Sequence, residues 1–167
     1  MTTLVYAKKP SIAAAIILTW LLAGTFDGLA AIFWTAYYTH TISLDVFRFV
    51  ASGIFGNSAF TGSGIMLVWG ILAHYTIALC FTITWFLLYP FFNKILRYKI
   101  IIAIIYGVIT WAIMERVVVP LSNVPKQPFS ITNALTGCII LMFTIGLTVT
   151  LMAHAYYYKI KGRLLYL

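Results

Sequence analysis

Long apolar runs joined by short polar segments set the pattern of this chain. Four runs stand out, over residues 11–38, 64–89, 100–119 and 131–157. A helix rises about 1.5 Å per residue and needs roughly 20 residues to cross a bilayer core, so each run can span. Helices follow rather than strands, because four strands cannot close a barrel and open sheet edges leave backbone groups unsatisfied in lipid. Between the first two runs, "THTISLDVFRFVASGIFGNSAFTGSG" places Leu44, Phe47, Val50, Ala51 and Ile54 at helical spacing after a candidate N-cap at Ser43. This predicts a short helix over 44–55, stopped by Gly56 and Asn57. Too short to span, it would lie along the outer membrane surface as a lid on the bundle. The loop "PLSNVPKQPF", with three prolines, predicts a rigid outer turn, and the short joint at 93–98 makes the second and third spans antiparallel neighbours. The expected fold is all-α: a polytopic bundle of four transmembrane helices, one membrane domain over 1–167.

Composition sharpens that picture. Of 167 residues, 63% are hydrophobic and 8% charged, against roughly 45–50% and about 25% in soluble domains. A soluble domain of this size could not hide so much apolar surface. The net charge of +8 reads as a topology signal. With the N-terminus inside, Lys8, Lys9, Lys94, Arg97, Lys99, Lys159, Lys161 and Arg163 lie on the cytoplasmic side, eight of the eleven Lys and Arg. Arg48, Arg116 and Lys126 are the three left outside. Both termini are therefore expected in the cytoplasm, with anionic headgroups as the basic residues' partners. These charges sit in separate short segments and make no footprint for nucleic acid. Lys8-Lys9, an apolar run and Gly28-Leu29-Ala30 imitate a cleaved signal peptide. The run continues through Trp34 to Tyr38, so the first span is expected to be retained.

Against this background the ionisable residues inside the runs carry the candidate chemistry. Asp27 falls about 10 Å below the outer boundary, His74 about 14 Å and Glu115 about 6 Å, with Arg116 beside Glu115. Each would cost on the order of 3 kcal/mol facing lipid, so all four are expected to face one another or water. Small residues support this placement. Gly24 and Gly28 flank Asp27 as a G-x-x-x-G step, Gly70 lies one turn before His74, and Gly137 belongs to a stripe with Asn133, Thr144 and Thr148. Two readings of the cluster stay open. One is architectural: an Asp27–Arg116 ion pair, with His74 and Glu115 hydrogen-bonded nearby, fixes helix register. The other is a proton or cation pathway through Asp27 and His74.

Nothing in the sequence fixes a substrate, so the first expectation is a non-enzymatic accessory or structural membrane protein. A small proton- or ion-coupled transporter is the alternative, and a lipid-modifying enzyme with His74 as base and Asp27 orienting it the second alternative. No nucleophile elbow, H-E-x-x-H or phosphate loop occurs. His40 and His154 fall near opposite boundaries, and Cys80 and Cys138 read as apolar packing, so neither metal nor cofactor is expected. Lipids are the expected partners, with room for a homo-oligomer or another membrane protein. "NSAFTGSGI" and "TNALTGCII" open the second and fourth spans with a shared A-[FL]-T-G, a faint echo of a two-plus-two repeat.

The segments "GTFDGLAAI", "ASGIFGNSAFTGSG", "GILAHYTIA", "YGVITWAIMERVVVPLS" and "PFSITNALTG" resemble a group of small bacterial four-helix inner-membrane proteins of unknown function, distantly similar to the YagU-like family. The likeness covers nearly the whole chain in motif order. It implies the four-span fold and a bacterial inner membrane, and no activity. It also implies that the first-span acid, the second-span histidine and the "VVPLS" turn recur, here Asp27, His74 and Val118 to Ser122. The position of Glu115 is more often an amide or apolar residue in that group, which leaves Glu115 outside the implied set.

Overall fold

The structure, a computed structural model, describes residues 11–96, 98–126, 128 and 130–159, with only the backbone of Lys159. Of the residues used above to orient the chain, Lys8, Lys9, Arg97, Lys161, Arg163 and the Lys159 side chain lie outside the described part. Six helices form among the described residues: α1 (Ile12–Thr39), α2 (Asp45–Phe55), the single turn α3 (Ser58–Thr61), α4 (Ile65–Ile95), α5 (Lys99–Leu121) and α6 (Ile131–Tyr158). No strand occurs among them. The helices α1, α4, α5 and α6 are each long and apolar enough to cross a membrane, so the chain is an all-α, four-span membrane protein. Their outer faces keep large apolar side chains exposed, Leu87 at 69% and Phe143 at 63%, as a lipid-facing surface requires.

Local chemistry explains the helix ends. Ser11 caps α1 by accepting the Ala14 N–H at 3.1 Å, and Ser130 caps α6 by accepting the Asn133 N–H at 3.4 Å. Ser43 lies one position before the cap of α2 rather than at it, and its Oγ accepts the N–H of Asp45, the first helical residue, at 3.1 Å. Its hydroxyl donates to the Asp45 carboxylate at 2.7 Å, and the helix begins at Asp45 with Leu44 at the cap position. The stop at Gly56 forms with φ of 60°, and its N–H returns to the Ser52 carbonyl. The proline-rich loop then closes this end, since Asn123 donates from its backbone to Gly53 O and from its side chain to Ile54 O, both at 2.9 Å.

Proline accounts for two departures from the expected spans. The second span does not end before Pro90 but runs on to Ile95. Pro90 has no N–H for the carbonyl four residues back, that of Phe86, and the Tyr157 hydroxyl of α6 donates to this oxygen at 2.9 Å. In α5 the turn before Pro120 widens into a π-helical stretch, Met114–Val118, in which the Val119 N–H reaches the Met114 carbonyl five residues back. A second π-helical stretch, Met142–Leu147, interrupts α6.

Glycines set how closely the helices cross. At Gly70 an added Cβ would collide with the Phe47 carbonyl, so this glycine receives α2 rather than another span. At Gly107 it would collide with the Met142 backbone, and at Gly146 with the Ala103 carbonyl, which makes α5 and α6 a backbone-to-backbone contact. The sequence reading missed Gly107 and Gly146. On α1, a Cβ at Gly24 would stand 3.0 Å from the Tyr75 ring, and one at Gly28 would stand 3.4 Å from both His74 and Phe47.

Helix α6 touches α1, α4 and α5, whereas α4 and α5 touch each other sparsely despite their short joint. Their tie is aromatic: Trp85 stacks on Tyr106 with centroids 3.9 Å apart, and the Tyr106 hydroxyl donates to Phe81 O at 2.7 Å. The buried core, including Trp85, Phe86, Tyr89, Tyr106 and Val149, fills the half of the bundle away from α2. That leaves the α2 half to be filled some other way.

Two outcomes test this packing. Gly107→Ala is expected to cost about 1–3 kcal/mol by overpacking. Gly137→Ala, whose Cβ would meet the Trp111 indole at an ordinary 3.7 Å, should be tolerated. Unfolding in mixed micelles reads both. Tyr157→Phe should cost about 1 kcal/mol in the native background and less beside Pro90→Ala, which restores the amide to Phe86; a double-mutant cycle measures that coupling.

Candidate functional site

The α2 half of the bundle holds a partly open cavity of about 340 Å³. Four spans and α2 supply its walls: Asp27, Ala31 and Trp34 from α1, Phe47 and Val50 from α2, and His74, Ile77 and Phe81 from α4. Thr110, Trp111 and Glu115 of α5 and Gly137, Ile140 and Ile145 of α6 complete them. The lining is mainly apolar, with few polar groups convergent on it, as in small-molecule sites generally. The short helix α2, expected as a lid along the membrane surface, forms a wall of the cavity.

Asp27 reaches the cavity from a face of α1 made of small residues. Its Oδ1 accepts the Thr144 hydroxyl at 2.7 Å. The same hydroxyl lies 2.9 Å from the Ile140 carbonyl. Thr144 carries one proton and faces two acceptors, so in this geometry it can satisfy only one of them fully. Thr144 also sits within the widened turn Met142–Leu147, where the backbone departs from regular α-helix.

His74 enters from α4. Its Nε2 donates to the Gly24 carbonyl at 2.8 Å, because a carbonyl can only accept. The ring packs edge-on against Phe47 and Tyr75. Asp27 and His74 interact electrostatically, but no hydrogen bond joins them among the described residues. The dyad that an enzyme with His74 as base would use is therefore not formed. Beside it, the Trp20 indole donates to Tyr75 O at 2.7 Å and the Thr25 and Tyr75 hydroxyls meet at 2.9 Å, which locks α1 onto α4.

Glu115 and Arg116 separate. Glu115 is exposed and lines the cavity from the π-helical turn of α5. Arg116 is also exposed but does not line it, and it makes no ion pair among the described residues. The expected Asp27–Arg116 pair does not form, because adjacent helical positions diverge by about 100° and Glu115 takes the inward one. The ion pair among the described residues is elsewhere, Arg48 with Asp45 at 3.3 Å, and Arg48 also donates to the carbonyls of Ala59 and Gly62. Asn133 of the α6 stripe is exposed, and Cys80 is exposed rather than packed.

Two groups escaped the sequence reading. Thr110 is 1% exposed with its hydroxyl set against that of Tyr106, and the Trp111 indole N–H, buried in the cavity wall, has no hydrogen-bond partner among the described residues. Trp111 lies four residues before Glu115, one helical turn away, and that spacing was the available signal. At the opposite end, the Tyr89 hydroxyl donates to Asn93 Oδ1 at 3.1 Å and meets His154 Nδ1 at 2.8 Å. No group of three metal-ligating side chains occurs among the described residues.

No protein family, curated protein or solved structure matches this chain.

Thr144→Val removes the side-chain hydrogen bond that holds the Asp27 carboxylate. It should lower stability near neutral pH by about 1 kcal/mol, with a smaller loss in acid, where the carboxyl group is protonated and makes a weaker neutral bond. Unfolding in mixed micelles across pH measures the difference.

Proposed function

We propose that this chain is a non-enzymatic, proton-coupled carrier of small solutes in a bacterial inner membrane, with Asp27 as its protonatable group. One observation carries the reading: a cavity bounded by all four spans reaches a carboxylate that has a hydroxyl partner but no lysine or arginine paired with it among the described residues. An architectural cluster would be dry and paired, whereas intramembrane acids at a cavity are the usual parts of proton pathways.

The Asp27–Thr144–Ile140 contacts supply a working mechanism. When Asp27 is ionised, Thr144 donates to it at 2.7 Å and Ile140 keeps only its helical bond. When Asp27 takes up a proton, the same contact can reverse. The carboxylic acid then donates to Thr144, and Thr144 donates to the Ile140 carbonyl, so every proton in the chain has an acceptor. Protonation thereby changes hydrogen bonding between α1 and the irregular turn of α6, which are the two elements it would have to move. A charged ligand in the cavity competes with the proton for Asp27. The bias of basic residues supports cytoplasmic termini, and the resemblance to small bacterial inner-membrane proteins supports the location.

The test uses purified protein in liposomes loaded with a pH-sensitive dye. Asp27-dependent proton flux under an imposed gradient is expected, abolished in Asp27→Asn and retained in Asp27→Glu. Equal flux from the native chain and a folded Asp27→Asn variant would remove the proposal.

A further inference from the structure

We propose that the cavity binds a hydrophobic organic cation, held electrostatically by Asp27 and Glu115 and by the aromatic faces of Trp34, Phe47 and Trp111. This rests on the carrier reading for its site and adds the class of ligand. The argument starts from the charges that face the cavity. Asp27, His74 and Glu115 are the ionisable groups among the described residues of its wall. Arg116 does not line it, and Arg48 is engaged by Asp45 and two backbone carbonyls. His74 spends its Nε2–H on the Gly24 carbonyl. The cavity wall therefore holds two carboxylates against one imidazole, with no lysine or arginine among its described residues.

Chemistry selects what fits. A small hydrated metal ion would want a closed shell of oxygen ligands, and no three-residue ligand group occurs among the described residues. An anion would face two carboxylates. A neutral hydrocarbon would leave both acids without a counter-charge in a mostly apolar space. A cation whose charge is spread over apolar groups meets every demand at once, because aromatic faces attract it within about 6 Å and carboxylates add Coulomb attraction in a low dielectric. The Trp111 indole N–H adds a buried polar donor to this wall, without a hydrogen-bond partner among the described residues. The volume of about 340 Å³ lies in the range of sites for drug-sized molecules.

Two ions of the same size and shape but opposite charge test this directly: tetraphenylphosphonium and tetraphenylborate. Equilibrium binding is measured on the full chain in lipid nanodiscs against empty nanodiscs. The expected result is saturable phosphonium binding, with borate at least tenfold weaker. Glu115→Gln, at an exposed position, should weaken phosphonium binding several-fold while the protein stays folded, and Asp27→Asn should weaken it at least tenfold. Equal binding of the two ions, or phosphonium binding unchanged in the folded Glu115→Gln and Asp27→Asn variants, overturns the inference. Proton release in weak buffer separates the two proposals. Charge-selective binding without proton release leaves the ligand class standing and removes the coupling. Asp27-dependent proton flux without charge-selective binding does the reverse.

Discussion

A carboxylate carried into hydrocarbon must find its partners among groups the protein itself brings there. In this fold that demand converges on one contact, Thr144 with Asp27 at 2.7 Å. It joins the first and last spans across the interior and fixes which face of α1 looks inward. The lipid-facing and cavity-facing surfaces follow from that choice. Ion pairing would have satisfied the acid more completely, and would also have closed the space beside it. A hydroxyl partner holds the carboxylate in place while leaving its second oxygen and its charge available.

The geometry around that contact depends on backbone approach more than on side-chain fit. Gly70 admits α2 against α4, and Gly107 and Gly146 let α5 and α6 meet backbone to backbone. With α6 drawn close to three neighbours, α4 and α5 are left to touch mainly through Trp85, Tyr106 and Phe81. The aromatic core fills one half of the bundle and the cavity occupies the other. Both Glu115 and Thr144 are presented from π-helical turns, where a wider backbone shifts side-chain direction away from the regular 3.6-residue period.

Those turns mark where sequence reading ends. The four spans were legible because run length and apolar composition answer to bilayer thickness, and α2 because its apolar positions repeat at helical spacing. Asp27, His74 and Glu115 were legible as a group because burying each is costly. Thr144 could be placed on an inward stripe by period alone. Arg116 could not be separated from Glu115, because a widened turn changes which of two neighbours faces in. The second span ran past Pro90 because Tyr157, more than sixty residues on, satisfies the orphaned Phe86 carbonyl. Such a partner has no local sequence signature. Ser43 was misplaced by a single position, within the ordinary uncertainty of helix ends.

The central claim is that Asp27 faces α6 and Thr144 rather than α5 and Arg116. Thiol crosslinking decides it most directly, in a background where Cys80 and Cys138 are replaced by serine. Cysteines at 27 and 144 are expected to join through a short bifunctional reagent in native membranes, and cysteines at 27 and 116 are expected not to. Efficient joining of 27 to 116, with none between 27 and 144, would contradict the account.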